Sequence, residues 1–248
     1  MNWDNVKLNQ GERIDDLQCA GYGIIQSERH FRFSMDPVLL AHFATVKSRA
    51  KVVDLCSGSG VIALLLSAHS SASSITCVEI QELFCDMARR SIAMNHLEDR
   101  IDVRCLNLKD APKELGYGGY DLVTCNPPYL PTGQGKMSED ESLRLCRHEV
   151  AADLGEIIDA AYGLLKNGGR FAMVHLADRV GEIMRAMEDR RLAVKRLQPI
   201  QPREGKACNL ILIEGIKEGK PGVKWLPALN VYEGDDYSEE ILRIYNRK

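Results

Sequence analysis

Short apolar runs and amphipathic segments alternate along the chain from Lys51 onward. In the segment 81–95, for example, the apolar residues Leu83, Phe84, Met87, Ala88 and Ile92 fall on one face of a helix. An alternation of strands and helices is typical of a parallel sheet with helices on both faces. The pattern predicts strands over 51–55, 74–80, 101–106, 120–125 and 170–176, and helices over 61–68, 81–95, 154–165 and 179–190.

The C-terminal part of the chain breaks this alternation. The runs 193–200 and 208–216 both read as strands and have little helical sequence between them, which predicts an antiparallel pair at one edge of the sheet. Just before the fifth strand, Asn167-Gly168-Gly169 is a plausible C-cap for the helix over 154–165.

The first 48 residues predict a small N-terminal unit, followed by a core over 49–248. Segment 21–33 has β-rich ends around Ser27-Glu28-Arg29-His30 and predicts a hairpin or strand pair. Segment 37–46 predicts a helix with a proline in its first turn. Residues 130–149 form a long polar loop, and loops of this length inside a compact domain are usually functional or disordered.

Composition narrows the class of protein. A length of 248 residues suits one large α/β domain, alone or with a small appendage, and the net charge of -3 argues against wholesale coating of nucleic acid while leaving room for a local basic patch. The polar start and the lack of an apolar run of about 20 residues predict a cytoplasmic protein that does not enter a membrane. The eight cysteines include no Cys-x-x-Cys pair, so we expect reduced structural thiols and no metal site.

A glycine-rich turn follows the first core strand, where Asp54 precedes Cys56-Ser57-Gly58-Ser59-Gly60. Glycines there let the backbone approach a ligand, and the helix that follows presents unpaired amides. Gly58, Gly60 and Ala63 also fit the dinucleotide fingerprint, with Glu79 about 20 residues later to hold ribose hydroxyls.

Asp54 favours a different cofactor. A carboxylate at the mouth of the turn would repel a pyrophosphate, whereas S-adenosylmethionine has no phosphate and carries an ammonium and a sulfonium. We therefore expect S-adenosylmethionine at this turn, with S-adenosylhomocysteine as the product. Asn107 and Leu108 follow the third strand at the same edge, where the Asn107 side chain and the Leu108 amide are placed to contact the adenine, unless Asn107 is an ordinary turn residue.

A stiff turn, Asn126-Pro127-Pro128-Tyr129, follows the fourth strand. Two prolines fix the backbone and aim the Asn126 side chain in one direction. An exocyclic amino nitrogen is a weak nucleophile because its lone pair is delocalised. The Asn126 carboxamide oxygen can accept one of its N–H groups and the Pro127 carbonyl the other, while Tyr129 can stack on a planar acceptor.

These residues predict catalysis by positioning, without a strong general base. Together, the Asp54 turn, Glu79 and Asn126-Pro127-Pro128-Tyr129 resemble the class I methyltransferases that act on exocyclic amines. Segments 12–17, 33–40, 147–149, 214–217 and 229–232 make the chain most similar to bacterial tRNA1(Val) adenine-N6 methyltransferases.

The resemblance implies a Rossmann-like α/β fold with a seven-stranded, mostly parallel sheet and one antiparallel strand. It implies that segment 33–40, with Asp36, closes over the methionine end of the cofactor, and that residues 126–129 form the amine site. Cys56 stands where this family usually has glycine, and Asn107 where aspartate is common. The cofactor pocket it implies is lined by Asp54, Ser57, Gly58, Gly60, Glu79 and Ile80.

The acceptor predicted from this resemblance is adenine in a tRNA, and the sequence leaves alternatives open. Glutamine N5 methylation of a protein such as a release factor and guanine N2 methylation of rRNA use similar chemistry, and a cofactor-binding scaffold or RNA chaperone is the non-enzyme alternative. A nicotinamide oxidoreductase is a further one, and both a monomer and a homodimer remain open. Candidate RNA-binding residues are Arg29, His30 and Arg32, then Arg144, Arg147 and His148, and a third basic cluster of Arg190, Arg191, Lys195 and Arg196.

Overall fold

The computed structural model describes residues 3, 6–27, 34–129 and 153–245. The expected turn at 28–30, the loop over 130–149 and the candidate RNA contacts Arg29, His30, Arg32, Arg144, Arg147 and His148 lie outside these ranges. No helix in the ranges is both long and apolar enough to cross a membrane. Their strands are β1 (Glu12–Asp16), β2 (Gly23–Ser27), β3 (Lys51–Leu55), β4 (Ser74–Glu79), β5 (Ile101–Cys105), β6 (Tyr120–Cys125), β7 (Leu165–Leu176), β8 (Leu192–Gln201), β9 (Leu210–Lys217), β10 (Lys224–Trp225), β11 (Leu229–Asn230), β12 (Tyr232–Glu233) and β13 (Asp236–Tyr237).

Helices alternate with the core strands, as the periodicity predicts. A 3₁₀ turn at Ala177–Arg179 follows β7. Helix α1 begins at Asp36 with Pro37 in its first turn, which confirms the proline-started helix. The helices are α1 (Asp36–Phe43), α2 (Val61–His69), α3 (Glu82–Met94), α4 (Ala111–Leu115), α5 (Leu154–Leu164), α6 (Val180–Asp189) and α7 (Glu239–Ile244).

One central sheet organises the molecule, with strand order β10-β8-β9-β7-β6-β3-β4-β5. Strands β5, β4, β3, β6 and β7 are parallel, and β9 runs antiparallel to both β7 and β8. The seven long strands therefore confirm the expected mostly parallel sheet with one antiparallel strand. The predicted antiparallel pair of β8 and β9 is confirmed. Its predicted place at the very edge of the sheet is wrong, because the two-residue strands β10 and β11 pair with the outer side of β8.

Successive residues of the central strands belong to two main cores on opposite faces of the sheet. Val52 belongs to the core that contains residues of α1, α2, α3 and α7, whereas Val53 belongs to the core that contains residues of α5 and α6. Because side chains alternate across a strand, the strands buried on both faces supply apolar residues to both layers. The helices thus cover both faces, as the sequence predicts.

The fifth core strand begins earlier than predicted. Helix α5 ends at Leu164, Leu165 is already extended, and Asn167-Gly168-Gly169 lies within β7, so the proposed C-cap is wrong. A Cβ at Gly169 would lie 2.8 Å from the Lys166 carbonyl and 3.0 Å from the Tyr120 carbonyl. Glycine is needed here because β7 approaches the backbone of β6 closely at a register irregularity.

The N-terminal strands form a separate antiparallel pair, in which β2 pairs with the preceding β1. Helix α3 holds this pair through buried hydrogen bonds. Asn95 accepts from the Gly23 amide at 3.0 Å and donates to its carbonyl at 2.7 Å, and the Ile25 amide donates to Ser91 Oγ at 2.9 Å. The first half of β2 is thereby fixed against α3.

Candidate active site

The candidate site residues meet at one edge of the sheet. Leu55 pairs with Val78 and Cys125, and Glu79 pairs with Cys105, so the carboxyl ends of β3, β4, β5 and β6 lie side by side. The chain builds β4 and β5 on one side of β3 and β6 on the other. Ligands of open α/β sheets bind at such a switch point.

The glycine turn has a left-handed backbone at three residues. Cys56, Gly58 and Gly60 have φ of 55°, 53° and 86°. A Cβ added at Gly58 would meet nothing within 4 Å, so Gly58 faces open space, whereas a Cβ at Gly60 would lie 3.4 Å from the Ala88 Cβ. Gly58 therefore leaves room for a ligand, and Gly60 allows α2 to begin close to α3. Cys56 adopts a left-handed conformation that glycine adopts without strain, so the glycine that the family resemblance implies at this position would fit the turn more easily.

The sequence predicts the Asp54 carboxylate at the mouth of the turn, but in the structure this side chain lies deeper. Its side chain is 0% exposed, and Oδ1 accepts a hydrogen bond from Thr124 Oγ1 at 2.7 Å. Oδ2 has no hydrogen-bond partner among the described residues. Burial, with a smaller contribution from the nearby Glu79 charge, raises the pKa of Asp54 to about 7. A buried, unpaired carboxylate oxygen is a binding position for a cation or a donor.

Glu79 is the second buried acid at this edge. Its Oε2 accepts from the Gly58 amide at 2.9 Å, and its Oε1 accepts from the amides of Ile80 and Gln81 at 3.0 Å each. Burial raises the pKa of Glu79. These bonds tie the glycine turn to the end of β4, and the 44%-exposed Ile80 side chain stands beside them as an apolar surface.

Asn107 and Leu108 lie at the same edge, beyond the end of β5. Asn107 Oδ1 accepts from the Lys109 amide at 3.0 Å, which is the hydrogen bond of an ordinary Asx turn. The Leu108 side chain is buried in the core. Asn107 therefore already has a structural role, and its contact with adenine stays a prediction.

The Asn126 turn is linked to α1. The Tyr129 hydroxyl lies 2.8 Å from Asp36 Oδ2 and 3.0 Å from Asn126 Oδ1. One hydroxyl hydrogen serves these two acceptors. Burial and the Asp36 charge raise the pKa of Tyr129 strongly, so it remains a neutral donor. Three predicted residues from distant parts of the sequence thus meet in one cluster.

His175, at the end of β7, supports this cluster and was not predicted. Its ring lies 5.3 Å from the Tyr129 ring, between centroids, and its Nδ1 accepts from the Leu176 amide at 2.8 Å. Burial lowers the pKa of His175 to about 4, so the ring is neutral at physiological pH. The Tyr129 ring therefore packs against His175 as well as bordering the turn.

Two further residues were missed by the sequence analysis. Gln26 of β2 donates to Ser59 Oγ at 2.7 Å and so connects the N-terminal strands to the glycine turn. Thr124 holds Asp54, its partner in the adjacent strand. A polar residue within the otherwise apolar run 122–125, two positions before Asn126, was the available signal for Thr124.

The third predicted basic cluster does not lie at this edge. Arg190 and Arg191 precede β8. The start of β8 lies beside the end of β9 and close to the start of β7, which is the edge of the sheet opposite the glycine turn. Arg190 pairs with Asp159 and Arg191 with Glu218. Arg196, nearer the middle of the sheet, contacts Glu214 and the Phe43 ring. Arg190, Arg191 and Arg196 thus have acidic partners in the folded protein, and binding of RNA by this cluster stays a prediction.

The residues at this edge fit S-adenosylmethionine. Buried acids at Asp54 and Glu79 suit a ligand that carries an ammonium and ribose hydroxyls. Asp54 Oδ2, which has no hydrogen-bond partner among the described residues, can accept a hydrogen bond from such a ligand. Gly58 leaves space for the ligand and Ile80 offers an apolar face for a base. Two buried carboxyl groups would repel a pyrophosphate.

Comparisons with known proteins agree with this assignment. A relative from Aeromonas hydrophila, named tRNA1(Val) (adenine(37)-N6)-methyltransferase, is 31% identical over 201 residues, which cover 81% of this chain and 78% of the relative. A protein of the same name from Porphyromonas gingivalis is 24% identical over 92% of this chain and 84% of its own length.

Solved structures share the fold. A predicted O-methyltransferase from Agrobacterium tumefaciens superposes with a TM-score of 0.69 at 22% identity, covering 86% of this chain and 96% of that one. The family model described as "Methyltransferase small domain" matches residues 36–190, more than half of the chain. The chain therefore belongs to the methyltransferase small domain family and is an S-adenosylmethionine-dependent methyltransferase.

Proposed function

We propose that this enzyme methylates the N6 amino group of an adenine in tRNA. The observation that carries the proposal is the meeting of Asn126, Tyr129 and Asp36 beside the acidic pocket of Asp54 and Glu79. The first cluster offers oxygen acceptors for an amino group, and the second suits a cationic methyl donor. Relatives at up to 31% identity carry names for this activity, which supports adenine in tRNA as the acceptor.

In this proposal the cofactor pocket is formed by eight of the nine residues named from the sequence, namely Asp54, Ser57, Gly58, Gly60, Glu79, Ile80, Asn107 and Leu108. The ninth, Asp36, contacts the Tyr129 hydroxyl, and its contact with the cofactor stays a prediction. The bound cofactor supplies an electrophilic methyl group on a sulfonium. Asp54, once ionised, attracts the cationic end of the cofactor, and Glu79 accepts from its ribose. The two Glu79 carboxylate oxygens already accept hydrogen bonds from three backbone amides, so this carboxylate has a fixed orientation before the ligand binds.

The acceptor amine is bound by Asn126 and the carbonyl of Pro127. Asn126 Oδ1 lies in contact with the Tyr129 hydroxyl, which can turn its hydrogen to Asp36 and release a lone pair for an N–H of the substrate. Asp36 is then a positioning residue that fixes Tyr129. The proposal assigns no proton-transfer role to His175, because burial lowers its pKa to about 4, which makes it a weak base, and its Nδ1 already accepts from the Leu176 amide.

Methyl transfer in vitro tests the proposal. Purified enzyme and labelled S-adenosylmethionine are incubated with unmodified tRNA and, in parallel reactions, with rRNA and with a release factor, and the digested nucleosides and peptides are analysed by mass spectrometry. Label in N6-methyladenosine is expected. Label in N2-methylguanosine, or transfer only to a protein glutamine, would replace the proposal with one of the two alternative acceptors, and transfer to none of them would reject an amine methyltransferase.

A further inference from the structure

A second chemical cluster lies outside the proposed active site, where α3 meets β5. Glu82 is in the first turn of α3, Cys85 follows one helical turn later, and Cys105 ends β5. Among the described residues, these form the one group of three potential ligands whose donor atoms all lie within 4.8 Å of one another. The two cysteines are 20 positions apart, so their spacing in the sequence gave no sign of the site.

The donor set is suited to one class of metal. Two thiolates and one carboxylate favour a borderline or soft divalent ion, and zinc takes such ligands in tetrahedral geometry. Donor atoms of a tetrahedral site with bond lengths of about 2.0–2.3 Å lie about 3.3–3.8 Å apart, so three donors within 4.8 Å of one another can bind one ion after small side-chain movements. Calcium and magnesium are disfavoured because they require oxygen ligands.

The surroundings complete the site. Arg89 Nη1 holds Glu82 Oε1 at 3.1 Å, and its positive charge together with that of a divalent ion balances three anionic ligands. The cluster borders an open groove of about 630 Å³, which is lined in part by Cys105, Arg89 and Arg104. That opening leaves a fourth coordination position for water or a further ligand.

We propose that Glu82, Cys85 and Cys105 bind one zinc ion at the surface, independently of the methyltransferase activity. The ion would join the start of α3 to the end of β5. Cys85 Sγ lies 3.5 Å from the Glu79 carbonyl and Cys105 Sγ lies 3.7 Å from the Ile80 carbonyl, so the ion would lie directly beside the end of β4.

Cobalt(II) substitution tests the site with a spectroscopic readout. The protein is kept reduced with a phosphine, stripped with a chelator and titrated with Co²⁺, then with Zn²⁺ in competition. We expect one ion per chain, intense visible bands of tetrahedral Co²⁺ and a near-ultraviolet thiolate-to-metal band, all displaced by Zn²⁺.

Variants identify the ligands. Cys105→Ser should remove the thiolate band and Glu82→Gln should weaken binding by about tenfold or more, whereas Cys208→Ser, at an exposed cysteine between β8 and β9, should change neither. Glu82 and Cys105 are accessible, so both variants are expected to fold, and circular dichroism checks this. Absence of a thiolate band in the wild type, or a band that persists in Cys105→Ser, overturns the proposal.

Discussion

At Asp54, the requirements of a stable ligand-free protein and of cofactor binding conflict most clearly. Its carboxyl group is fully buried, one oxygen has no partner among the described residues, and Glu79 lies nearby. Ionising it in the free protein is unfavourable, because the charge would be buried and no ion pair with it is found among the described residues. Binding of a cationic ligand supplies that compensation, so the residue favours the bound state at the expense of the free one.

Asp54→Asn should therefore make the ligand-free protein more stable at high pH. The folded pKa of about 7 exceeds the ordinary 3.8, so the stabilising contribution of the protonated carboxyl is complete below about pH 4 and is lost as pH rises through 7. The variant does not undergo this loss. Its gain in free energy of unfolding over the wild type should be close to zero near pH 4 and reach up to about 4 kcal/mol near pH 8.

Urea unfolding without ligand, at both pH values, measures the gain. Calorimetry should show weaker cofactor binding by the variant and, in the wild type only, affinity that increases as pH rises through 7. A stability difference that is the same at both pH values would mean that Asp54 does not titrate in this range.

Asn126→Ala should abolish the reaction without emptying the pocket. The carboxamide contacts the acceptor amine and not the cofactor in our account, so kcat should fall by at least about a hundredfold while cofactor affinity stays within a few-fold. Steady-state kinetics and calorimetry separate the two quantities. Loss of cofactor affinity instead would show that Asn126 belongs to the cofactor pocket.

Tyr129→Phe is the matched comparison, since it keeps the ring beside His175 and removes the hydroxyl that contacts Asp36 and Asn126. We expect a smaller fall in kcat, of about tenfold, because Asn126 remains but is oriented less firmly. A fall as large as that of Asn126→Ala would assign the hydroxyl a direct role at the acceptor.

At the scale of elements, the N-terminal strand pair depends on α3. Asn95 is buried and satisfies both the amide and the carbonyl of Gly23, so Asn95→Ala leaves two backbone groups without partners. We expect a loss of about 2–4 kcal/mol in the free energy of unfolding, against about 1 kcal/mol for Ser91→Ala, which removes one hydrogen bond to β2. Thermal unfolding of both variants checks the ranking, and equal losses would contradict it.

Glu214 ties together strands β7, β8 and β9 far from the proposed chemistry. It is 0% exposed and accepts from Arg170 at 2.6 Å and from the Thr45 amide at 2.8 Å. Glu214→Ala should cost about 3–5 kcal/mol, because it removes a fully buried carboxylate and leaves the partly buried Arg170 and Arg196 without their acidic partner, and should leave cofactor affinity unchanged. Glu240→Ala, at an exposed position of α7, is the control and should change stability by less than about 0.5 kcal/mol.

Element types followed from the sequence more securely than their ends. The central strands are short apolar runs bounded by turn residues, and the predicted core helices are longer apolar or amphipathic segments, so both types occur close to where the pattern places them. The start of β7 did not follow, because Gly168-Gly169 suits a helix cap as well as a close approach between two strands. The strands β10 and β11 have two residues each, too few to show any period.

At the scale of the whole molecule, the site is assembled from contacts that no local pattern contains. Thr124 and Asp54 are 70 positions apart, and Tyr129 and Asp36 are 93 apart. Residue types and motif order predict Asp54, Glu79 and Asn126 as site residues, because the proposed chemistry requires acids and a carboxamide near the carboxyl ends of the strands. Thr124, Gln26 and His175 could not be identified, since their roles depend on which strands become neighbours in the folded sheet.

The central claim is that the Asn126 corner delivers a methyl group to adenine N6, and its most direct test is the fate of the label on tRNA. Wild type and Asn126→Ala, each with confirmed cofactor binding, are compared on unmodified tRNA by nucleoside mass spectrometry. Our account predicts labelled N6-methyladenosine with the wild type and none above background with the variant. Equal amounts of N6-methyladenosine from both proteins, or label in another nucleoside, would contradict it.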